Sequence, residues 1–390
     1  MSIRYALPEP EDFIRLSGPH EYAITIYAET SPMVGERETS FARVKSGFDA
    51  GLDQIREAGA RFADRERLKA EWDAIATDDE LWGHLAASIA IFLSPSVSEV
   101  YVLPNRLDTQ YLAASYFDLA QLFRATTFEQ RAFALLISAN EWSLWLATRT
   151  ERASRLTLDD PRPKNVDDAT ARDVEAGQDN VRRLIGEEGR KVLLETYAKR
   201  VSDAVEKELY ARQENKDQVV FVFAAEPLLS MLTARGVGGW ELIPVSGAPD
   251  RLGAAEIDSV IRSRLEARNA KVVQRKVDSF GDGVSAGLLA AGVPAIARAA
   301  VESAIDTLVF DFTVDVFGTF DRETGSVEFS PDGGKTKPPG TDFYDVLSAI
   351  AVTTVERGGA VIAVREGEVT SPLWNGEELA KLRFAVGERA

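Results

Sequence analysis

Val219-Val220-Phe221-Val222-Phe223-Ala224 is an unbroken apolar run of strand-forming residues, and it indicates the class of the fold. A strand that is apolar on both faces is typical of the buried strands of α/β proteins. An amphipathic pattern before it, from about residue 180 to residue 212, predicts a long helix. The apolar positions of this helix recur at steps of four: Leu193, Tyr197, Val201, Val205 and Leu209. Residues 226–235 predict a helix after the strand, so helices and strands alternate as in an α/β domain.

Strands and helices also alternate on the N-terminal side of this long helix. Alternating or β-branched runs bounded by turn residues predict short strands there. These strands are expected at 22–28, 88–93, 98–103, 110–114, 131–138, 142–147 and 153–158. Residues 36–58 and 64–76 predict two helices after the first strand. Short connections make the last three strands antiparallel neighbours.

The C-terminal third repeats the alternation of helix and strand. Residues 254–276 predict a long helix, and the apolar window 284–301 predicts two short buried helices. Further elements are expected as strands at 307–312 and 315–321, a helix at 343–356 and a final strand at 360–365. We therefore predict an α/β protein of three α/β domains, with boundaries at residues 1–126, 127–249 and 250–390.

Composition excludes several kinds of chemistry. The 390 residues contain no cysteine, which rules out disulfides, thiolate metal sites and a cysteine nucleophile. Only His20 and His84 are present, which leaves almost no room for a serine-histidine triad or a histidine metal site. We expect no metal and no cofactor. The first ten residues lack the apolar core of a signal peptide, and no apolar window reaches the roughly 20 residues that cross a bilayer. The sequence predicts a cytoplasmic protein without a membrane partner.

Net charge opposes non-specific binding to nucleic acid, because phosphate contacts require Lys and Arg and the chain carries a formal charge of −17. The excess of acid is uneven, however. Residues 149–213 contain 14 basic and 14 acidic residues, so the whole excess lies in the rest of the chain. If the protein contacts RNA, this neutral segment is where contact is expected.

Three other motifs are better explained as structure than as sites. Gly334-Lys335-Thr336 resembles the end of a phosphate-binding loop, but Phe329 stands where the motif requires glycine. The glycines of 236–239 precede a strand instead of a helix, which predicts a plain turn. Asp311 and Asp315 share a predicted strand, where four steps separate them by about 13 Å, too far for one metal ion.

The tripeptide Ala176-Gly177-Gln178 precedes the long helix and is the remaining candidate. Glycine permits close approach of the backbone to a ligand, and glutamine offers one acceptor and two donors without charge. Such a loop can orient water at an ester carbonyl, while backbone N–H groups stabilise the oxyanion. The alternative is an ordinary loop before a helix that is capped by Asp179. The residues alone leave both readings open.

The order of these segments resembles the bacterial archaeo-eukaryotic-type release factor family. On the N-terminal side the resemblance rests on four segments: Ala23–Tyr27, Ile89–Pro95, Tyr101–Pro104 and Phe117–Phe123. On the C-terminal side it rests on Ile296–Ser303, Ile305–Val309, Gly318–Asp321 and the run from Val346 into Gly358-Gly359-Ala360-Val361. It extends over about residues 22–384 and depends on pattern and order more than on one motif.

The resemblance implies an RNase H-like middle domain and a C-terminal domain similar to ribosomal kink-turn-binding proteins. In archaeo-eukaryotic release factors a Gly-Gly-Gln loop precedes the long helix of the middle domain and promotes hydrolysis of peptidyl-tRNA at the ribosome. Gly177 and Gln178 match its last two positions, and Ala176 stands at the first. Basic residues follow on the helix as expected contacts to RNA phosphates: Arg182, Arg183, Arg190, Lys191, Lys199 and Arg200.

The leading hypothesis is a release-factor-like protein that hydrolyses peptidyl-tRNA for termination or for rescue of stalled ribosomes. Its partners would be ribosomal RNA and peptidyl-tRNA, with a protein partner on the C-terminal domain. Eukaryotic codon-recognition motifs are not found in residues 1–126, which favours a factor that reads no codon. A second hypothesis is a non-catalytic ribosome- or RNA-associated protein that kept the architecture and lost the chemistry. A third is a protein-interaction scaffold without ribosome contact.

Overall fold

The computed structural model describes residues 1–127, 131–148, 152–159, 163–169, 187–214, 218–338 and 341–386. Contacts between residues divide the chain into two compact units. Unit 1 combines Met1–Glu129 with Leu265–Ala390, and unit 2 is Gln130–Arg264. Within the described residues, no helix has the length and apolar character needed to cross a membrane.

The N-terminal part of unit 1 is built on a five-stranded sheet in the order β1-β4-β3-β2-β5. Its strands are β1 (Ser2–Arg4), β2 (Ala23–Glu29), β3 (Ser88–Leu93), β4 (Ser98–Leu103) and β5 (Gln110–Ala114). Strand β1 is parallel to β4, and the other neighbours are antiparallel. Every residue of β3 is buried, as expected for a central strand that is apolar on both faces.

Helices cover this sheet. They are Pro10–Leu16, Arg37–Glu57, Phe62–Ala76, Asp79–Gly83 and Ala120–Thr127, with a 3₁₀ turn at Val34–Glu36. The helix Arg37–Glu57 lies close to β2 at Gly51, where a Cβ atom would be 2.8 Å from the Ile24 side chain. The helix Ala120–Thr127 is attached to the C-terminal segments of the same unit through Arg124, which pairs with Glu368 at 2.6 Å.

The C-terminal part of unit 1 contains two smaller sheets. The first, ordered β11-β17-β12-β16, consists of β11 (Leu289–Ala290), β12 (Ile305–Asp311), β16 (Ala360–Val364) and β17 (Glu378–Leu382). The second, ordered β14-β13-β15, consists of β13 (Phe317–Phe320), β14 (Val327–Phe329) and β15 (Tyr344–Asp345). Their helices are Val293–Val301 and Val346–Glu356, with a 3₁₀ segment at Ser279–Ala286.

Unit 2 has a five-stranded mixed sheet in the order β10-β9-β6-β7-β8. Its strands are β6 (Ala132–Ile137), β7 (Trp142–Ala147), β8 (Ser154–Arg155), β9 (Val219–Ala224) and β10 (Glu241–Ser246). Strands β6, β9 and β10 run parallel, and β7 and β8 are added in antiparallel pairing. The helices Glu187–Ala211 and Leu228–Arg235 contribute apolar side chains to the same core, and a 3₁₀ turn lies at Pro249–Arg251. A long helix, Ala254–Asp278, follows.

The α/β class predicted from the sequence is confirmed. The apolar run 219–224 is the buried strand β9, and the predicted strands 88–93, 98–103 and 110–114 have the expected bounds. The predicted boundaries of three domains, at residues 126 and 249, stay predictions.

Three local predictions are wrong. The window 284–301 contains one α-helix, Val293–Val301, instead of two, because 3₁₀ structure and β11 occupy its first half. The strand predicted at 360–365 is present as β16, but it is not the final strand, since β17 follows and pairs with both β11 and β12. The third strand of the antiparallel group spans only two residues, Ser154–Arg155, where 153–158 was expected.

Candidate functional site

The predicted catalytic tripeptide and two of the predicted RNA contacts lie outside the described residues. These are Ala176, Gly177, Gln178, Arg182 and Arg183, which fall within 170–186. Of the other predicted contacts, the structure places Arg190, Lys191, Lys199 and Arg200 on the helix Glu187–Ala211, hereafter the middle helix.

The middle helix packs one apolar face into the core of unit 2. Tyr197, Val201, Val205 and Leu209 are fully buried, as their spacing predicts. The first turn of this face differs from the prediction, because Leu194 is buried and Leu193 is only partly covered. Burial also raises the pKa of Tyr197, so this phenol stays neutral in the core.

The C-terminal end of the middle helix is firmly built. Gln213 adopts a left-handed conformation with φ 54°, its N–H bonds the Tyr210 carbonyl, and the Glu214 N–H bonds the Leu209 carbonyl at 3.1 Å. This is the hydrogen-bond pattern of a Schellman motif, which satisfies the last carbonyls of a helix. Arg131, just before β6, pairs with Glu214 at 2.5 Å and attaches this end to the sheet.

The glycine-rich segment 236–239 is a turn, as the sequence predicts. It packs against the middle helix. The Ser202 hydroxyl donates a hydrogen bond of 2.6 Å to the Gly236 carbonyl. Gly238 has φ 52°, and a Cβ atom there would be 2.8 Å from both Glu206 and Trp240. Glycine is required at this position because the helix and the turn leave no room for a side chain.

The four described basic residues do not form one stripe. An α-helix turns by about 100° per residue, so Arg190, Lys191, Lys199 and Arg200 point in four different directions around the axis. Acidic side chains are interleaved with them: Lys191 lies 4.0 Å from Glu195, and Asp203 pairs with Arg235 at 2.6 Å. This part of the helix therefore presents a mixed surface, and its role in RNA contact stays a prediction.

The Gly334-Lys335-Thr336 motif is a self-contained turn. The Asp332 carboxylate accepts hydrogen bonds from the backbone N–H groups of Lys335 and Thr336 and from the Thr336 hydroxyl. These bonds, led by the one from Thr336, lower the pKa of Asp332. The amides that a phosphate would need are thus already occupied by a carboxylate, and the structural explanation is confirmed.

A cavity of about 610 Å³ within unit 1 is the feature that the sequence did not reveal. We call it the unit 1 cavity. Residues from β5, from the segment before the helix Ala120–Thr127, and from the two ends of the segment 315–352 line it. Its walls are largely aromatic and aliphatic, with Tyr116, Phe117, Phe317, Phe320, Phe343 and Tyr344 as the rings. A cavity of this size and lining is suited to a small molecule.

Three carboxylates meet in this cavity: Asp118, Asp315 and Asp345. Burial, reinforced by the Asp345 carboxylate, raises the pKa of Asp118 to about 6, although the Ala120 N–H favours its charged form. Limited hydration inside the cavity, with the charges of Asp345 and Asp118, raises the pKa of Asp315 to about 7. Burial raises the pKa of Asp345 as well, against the hydrogen bonds that it accepts. Asp315 still has an exposed side chain, so water reaches it through the cavity.

Asp315 was predicted to share one strand with Asp311, and that placement is wrong. Strand β12 ends at Asp311, whose carboxylate accepts hydrogen bonds from the N–H and the hydroxyl of Thr313 in the following turn. Asp315 lies beyond that turn, before β13, and its neighbours come from positions 118 and 345. No spacing in the sequence signals this group.

Comparison with known proteins concerns unit 2 first. Residues 129–271 are similar to the archaeo-eukaryotic class of peptide chain release factors, and the matching model is Bacterial archaeo-eukaryotic release factor family 11. The resemblance inferred from the sequence is thereby confirmed for the segment that contains the tripeptide and the middle helix. No curated protein matches the chain.

Solved structures of related factors are also similar to this chain, at low identity. An archaeal translation termination factor, aRF1, is 12% identical over 97% of this chain and 99% of its own, with a TM-score of 0.22. Ribosome-bound archaeal Pelota, in a model with ABCE1, is 12% identical over 97% and 95%, with a TM-score of 0.37. Pelota of Archaeoglobus fulgidus is 13% identical over 77% and 80%, with a TM-score of 0.36. These TM-scores are all below 0.5, so it is the match to the family model that bears on function.

Proposed function

We propose that this protein acts at the ribosome as a release-factor-like protein that promotes hydrolysis of peptidyl-tRNA, in termination or in rescue of stalled ribosomes. The observation that carries the proposal is the match of residues 129–271 to a release factor family. The matched segment includes Gly177 and Gln178 and the middle helix that follows them. It also includes the whole charge-neutral segment, residues 149–213, of an otherwise acidic chain.

The chemistry assigned to the loop requires no metal and no charged base. The side-chain amide of Gln178 would accept a hydrogen bond from the attacking water through its oxygen and so orient that water at the ester carbonyl. Gly177 would let the backbone approach the ester, and backbone N–H groups would stabilise the oxyanion. The ester C–O bond then breaks, the peptide takes the water oxygen, and the tRNA oxygen leaves with a proton.

We assign unit 2 an RNase H-like fold in this proposal. Counted within unit 2, its five strands have the order 5-4-1-2-3, with the first, fourth and fifth strands parallel. A mixed sheet of this order is the arrangement expected for that fold, and it places β9 beside β6 at the centre. The C-terminal domain, proposed to be similar to kink-turn-binding proteins, would dock a protein partner, since acidic surfaces attract basic ribosomal proteins.

The test is release of a labelled peptide from stalled ribosomes by the full chain. We expect Gln178→Ala to lower the release rate at least about 100-fold, the effect of removing one preorganised transition-state contact. Cosedimentation with ribosomes should be unchanged, because a neutral amide adds little to electrostatic binding. Asn180→Ala is the matched control, since it removes a nearby amide outside the tripeptide. Equal release by the wild type and Gln178→Ala would contradict the catalytic role.

A second candidate is a ribosome- or RNA-associated protein that binds without catalysing release. Ala176, at the position of the first glycine of the family loop, favours it, because a Cβ atom restricts the backbone angles available there. The net charge of −17 also favours weak contact with RNA. In this case the wild type cosediments with ribosomes and releases nothing. Ala176→Gly then tests whether the loop lost activity through this one position, since restored release would identify the alanine as the cause.

A further inference from the structure

The unit 1 cavity lies outside the segment that matches the release factor family, and nothing in the proposed function uses it. Its three carboxylates differ in their hydrogen bonds. Two of them have structural partners, and the third is available to a ligand. Asp345 accepts hydrogen bonds from the N–H groups of Val316, Leu347 and Ser348, and so caps the helix Val346–Glu356. Asp118 accepts from the Ala120 N–H at 2.9 Å and from the Gln110 side chain at 3.1 Å.

Asp315 is the carboxylate whose acceptors are not used. Within the part of the chain that the structure describes, it has no hydrogen bond and no ion pair, yet it lies close enough to Asp345 and Asp118 to interact with their charges. Three carboxylates that share a cavity repel one another, and a bound cation relieves that repulsion. The arrangement is therefore complementary to positive charge.

We propose that the unit 1 cavity binds a small organic cation, an amine that carries an apolar or aromatic body, with Asp315 as its counter-ion. Binding at this site is independent of the proposed action at the ribosome.

An independent observation is the buried hydroxyl of Ser348, which lines the same cavity. Ser348 is 8% exposed, and its hydroxyl favours the charged form of Asp345, toward which it can donate. Within the described residues no group donates a hydrogen bond to its oxygen, and a buried hydroxyl oxygen without a donor calls for an explanation. An ammonium group supplies three donors, and one of them would satisfy Ser348 while another reaches a carboxylate.

The aromatic walls account for the body of the ligand. Tyr116 and Tyr344 lie with ring centroids 4.5 Å apart, and the Tyr344 hydroxyl is engaged with the backbone of Phe320. Faces of such rings attract cations, and their edges and neighbouring phenylalanines pack against apolar groups. A ligand with a cationic head and an apolar body matches both parts of the lining.

Three basic residues also belong to the lining. Arg15 is bound to the carboxylates of Glu99 and Asp12, each at 2.7 Å. Arg322 donates to the hydroxyl of Ser17, another lining residue, at 3.2 Å and keeps its charge. Burial lowers the pKa of Lys337, the third basic residue. Among the described residues, three carboxylates therefore face one uncompensated guanidinium and a weakened ammonium, which favours a cationic ligand over an anionic one.

Isothermal titration calorimetry of the full chain at pH 8 tests the proposal with 2-phenylethylamine and its neutral isostere 2-phenylethanol. For ligands of this size we expect the amine to bind with a dissociation constant on the order of 1 mM. The alcohol should bind at least about tenfold more weakly, since it lacks the charge. Equal binding of the two ligands overturns the proposal. So does the absence of amine binding at about 10 mM, roughly ten times the expected dissociation constant.

Two variants, Asp315→Asn and Tyr116→Leu, test where the ligand binds, and a third serves as the control. Asp315→Asn should weaken amine binding at least about tenfold and should fold normally, because Asp315 makes no hydrogen bond within the described residues. Asp282→Asn, an exposed aspartate of the same unit that does not line the cavity, is the matched control and should bind as the wild type does. Unchanged affinity in Asp315→Asn would place the ligand elsewhere. Tyr116→Leu should weaken binding about two- to fivefold through loss of the ring face.

Dependence on pH provides a further check. Besides Asp315, the groups that face the cavity are Asp118, Asp345, Tyr116, Tyr344, Lys337, Arg322 and Arg15. A primary amine stays charged below about pH 9, whereas Asp315 and Asp118 gain protons as the pH falls through about 7 and about 6. Affinity should therefore fall at least about tenfold from pH 8 to pH 5. An affinity for the amine that is constant over this range contradicts the role of the carboxylates.

Discussion

On the middle helix, charged side chains of both signs lie on the solvent-exposed surface, whereas three aspartates line the unit 1 cavity together. The helix buries only its apolar face, and pairs such as Lys191 with Glu195 remain in water. The cavity instead brings carboxylates together so that each disfavours the charge of the others. Repulsion of this kind lowers stability, and groups with strongly shifted pKa values occur often at functional sites. The contrast identifies the cavity as a part of the described structure where stability is given up.

The largest effect is expected where the interior of unit 2 is purely apolar. Phe221 is fully buried at the centre of β9, and Phe221→Ala should lower the local free energy of unfolding by about 3–5 kcal/mol. Hydrogen exchange of the β9 amides measures this directly. Val192→Ala, at an exposed position of the middle helix, is the control and should change exchange by less than about 0.5 kcal/mol. A small effect of Phe221→Ala would mean that this core can close around the missing ring.

A smaller loss is expected for a carboxylate of the cavity that has a structural role. Asp345→Ala removes two backbone hydrogen bonds at the start of the helix Val346–Glu356 and a third from the Val316 N–H, and it should destabilise the protein by about 1–2 kcal/mol. Relief of repulsion with Asp315 offsets part of the loss. Asp78→Ala, which removes a single cap bond to the Leu81 N–H, is the matched comparison and should cost less. Thermal denaturation of both variants tests the order of the two effects.

The third prediction has the opposite sign. The pKa of Asp315 is about 7 in the folded protein against 3.8 for an ordinary aspartate. The folded state therefore holds its proton more tightly, so this contribution to stability is complete below pH 4 and is lost as the pH rises through 7. Asp315→Asn avoids that loss. It should stabilise the protein by about 1 kcal/mol at pH 8, a value reduced because water in the cavity screens the charge.

Denaturation of the wild type and Asp315→Asn between pH 4 and pH 8 measures this difference. The two curves should coincide at the acid end and separate as the pH rises. Asp282→Asn, whose aspartate is exposed to solvent, should follow the wild type throughout. A variant that is less stable than the wild type at pH 8 would show that Asp315 has a structural partner, which would remove the contrast with Asp345.

The smallest effect is expected on the surface of the middle helix. Lys191→Ala breaks an exposed ion pair of 4.0 Å and should change stability by no more than about 0.5 kcal/mol. Urea denaturation measures the difference in stability between Lys191→Ala and the wild type. In about 0.5 M salt, which screens exposed ion pairs, this difference should be the same as in low salt or smaller. A larger loss of stability would mean that this ion pair contributes to the fold. The middle helix would then no longer differ from the cavity in the energetic importance of its charges.

Elements with strong local patterns could be predicted from the sequence. Strand β9, the three strands of 88–114 and the apolar face of the middle helix follow from hydrophobic runs and spacing alone. Strand β17 could not be predicted, because Glu378-Leu379-Ala380-Lys381-Leu382 contains good helix formers. It is a strand because β11 and β12 pair with both of its edges. Pairing with distant strands overrides a weak local preference.

The candidate sites divide in the same way. Gly177 and Gln178 are consecutive, so a sequence can display them as a motif, and the family match over residues 129–271 includes them. Asp118, Asp315 and Asp345 are separated by 30 to 227 positions and follow no spacing. Of the three, only Asp315 was a candidate from the sequence, and it was predicted on the wrong element. Only the packing of the segment before the helix Ala120–Thr127, the segment before β13 and the start of the helix Val346–Glu356 around one cavity makes them neighbours.

The sequence by itself determined the α/β class, most of the central strands, the buried face of the middle helix and the resemblance to a release factor family. These properties depend on residues that are close along the chain, where hydrophobic period and residue type act directly on local structure. The tertiary structure alone decided which strands that are distant along the chain lie side by side, why glycine stands at 238, and which carboxylates share a cavity. Burial and electrostatic interaction depend on distance in space, and that distance is set only when distant segments pack together.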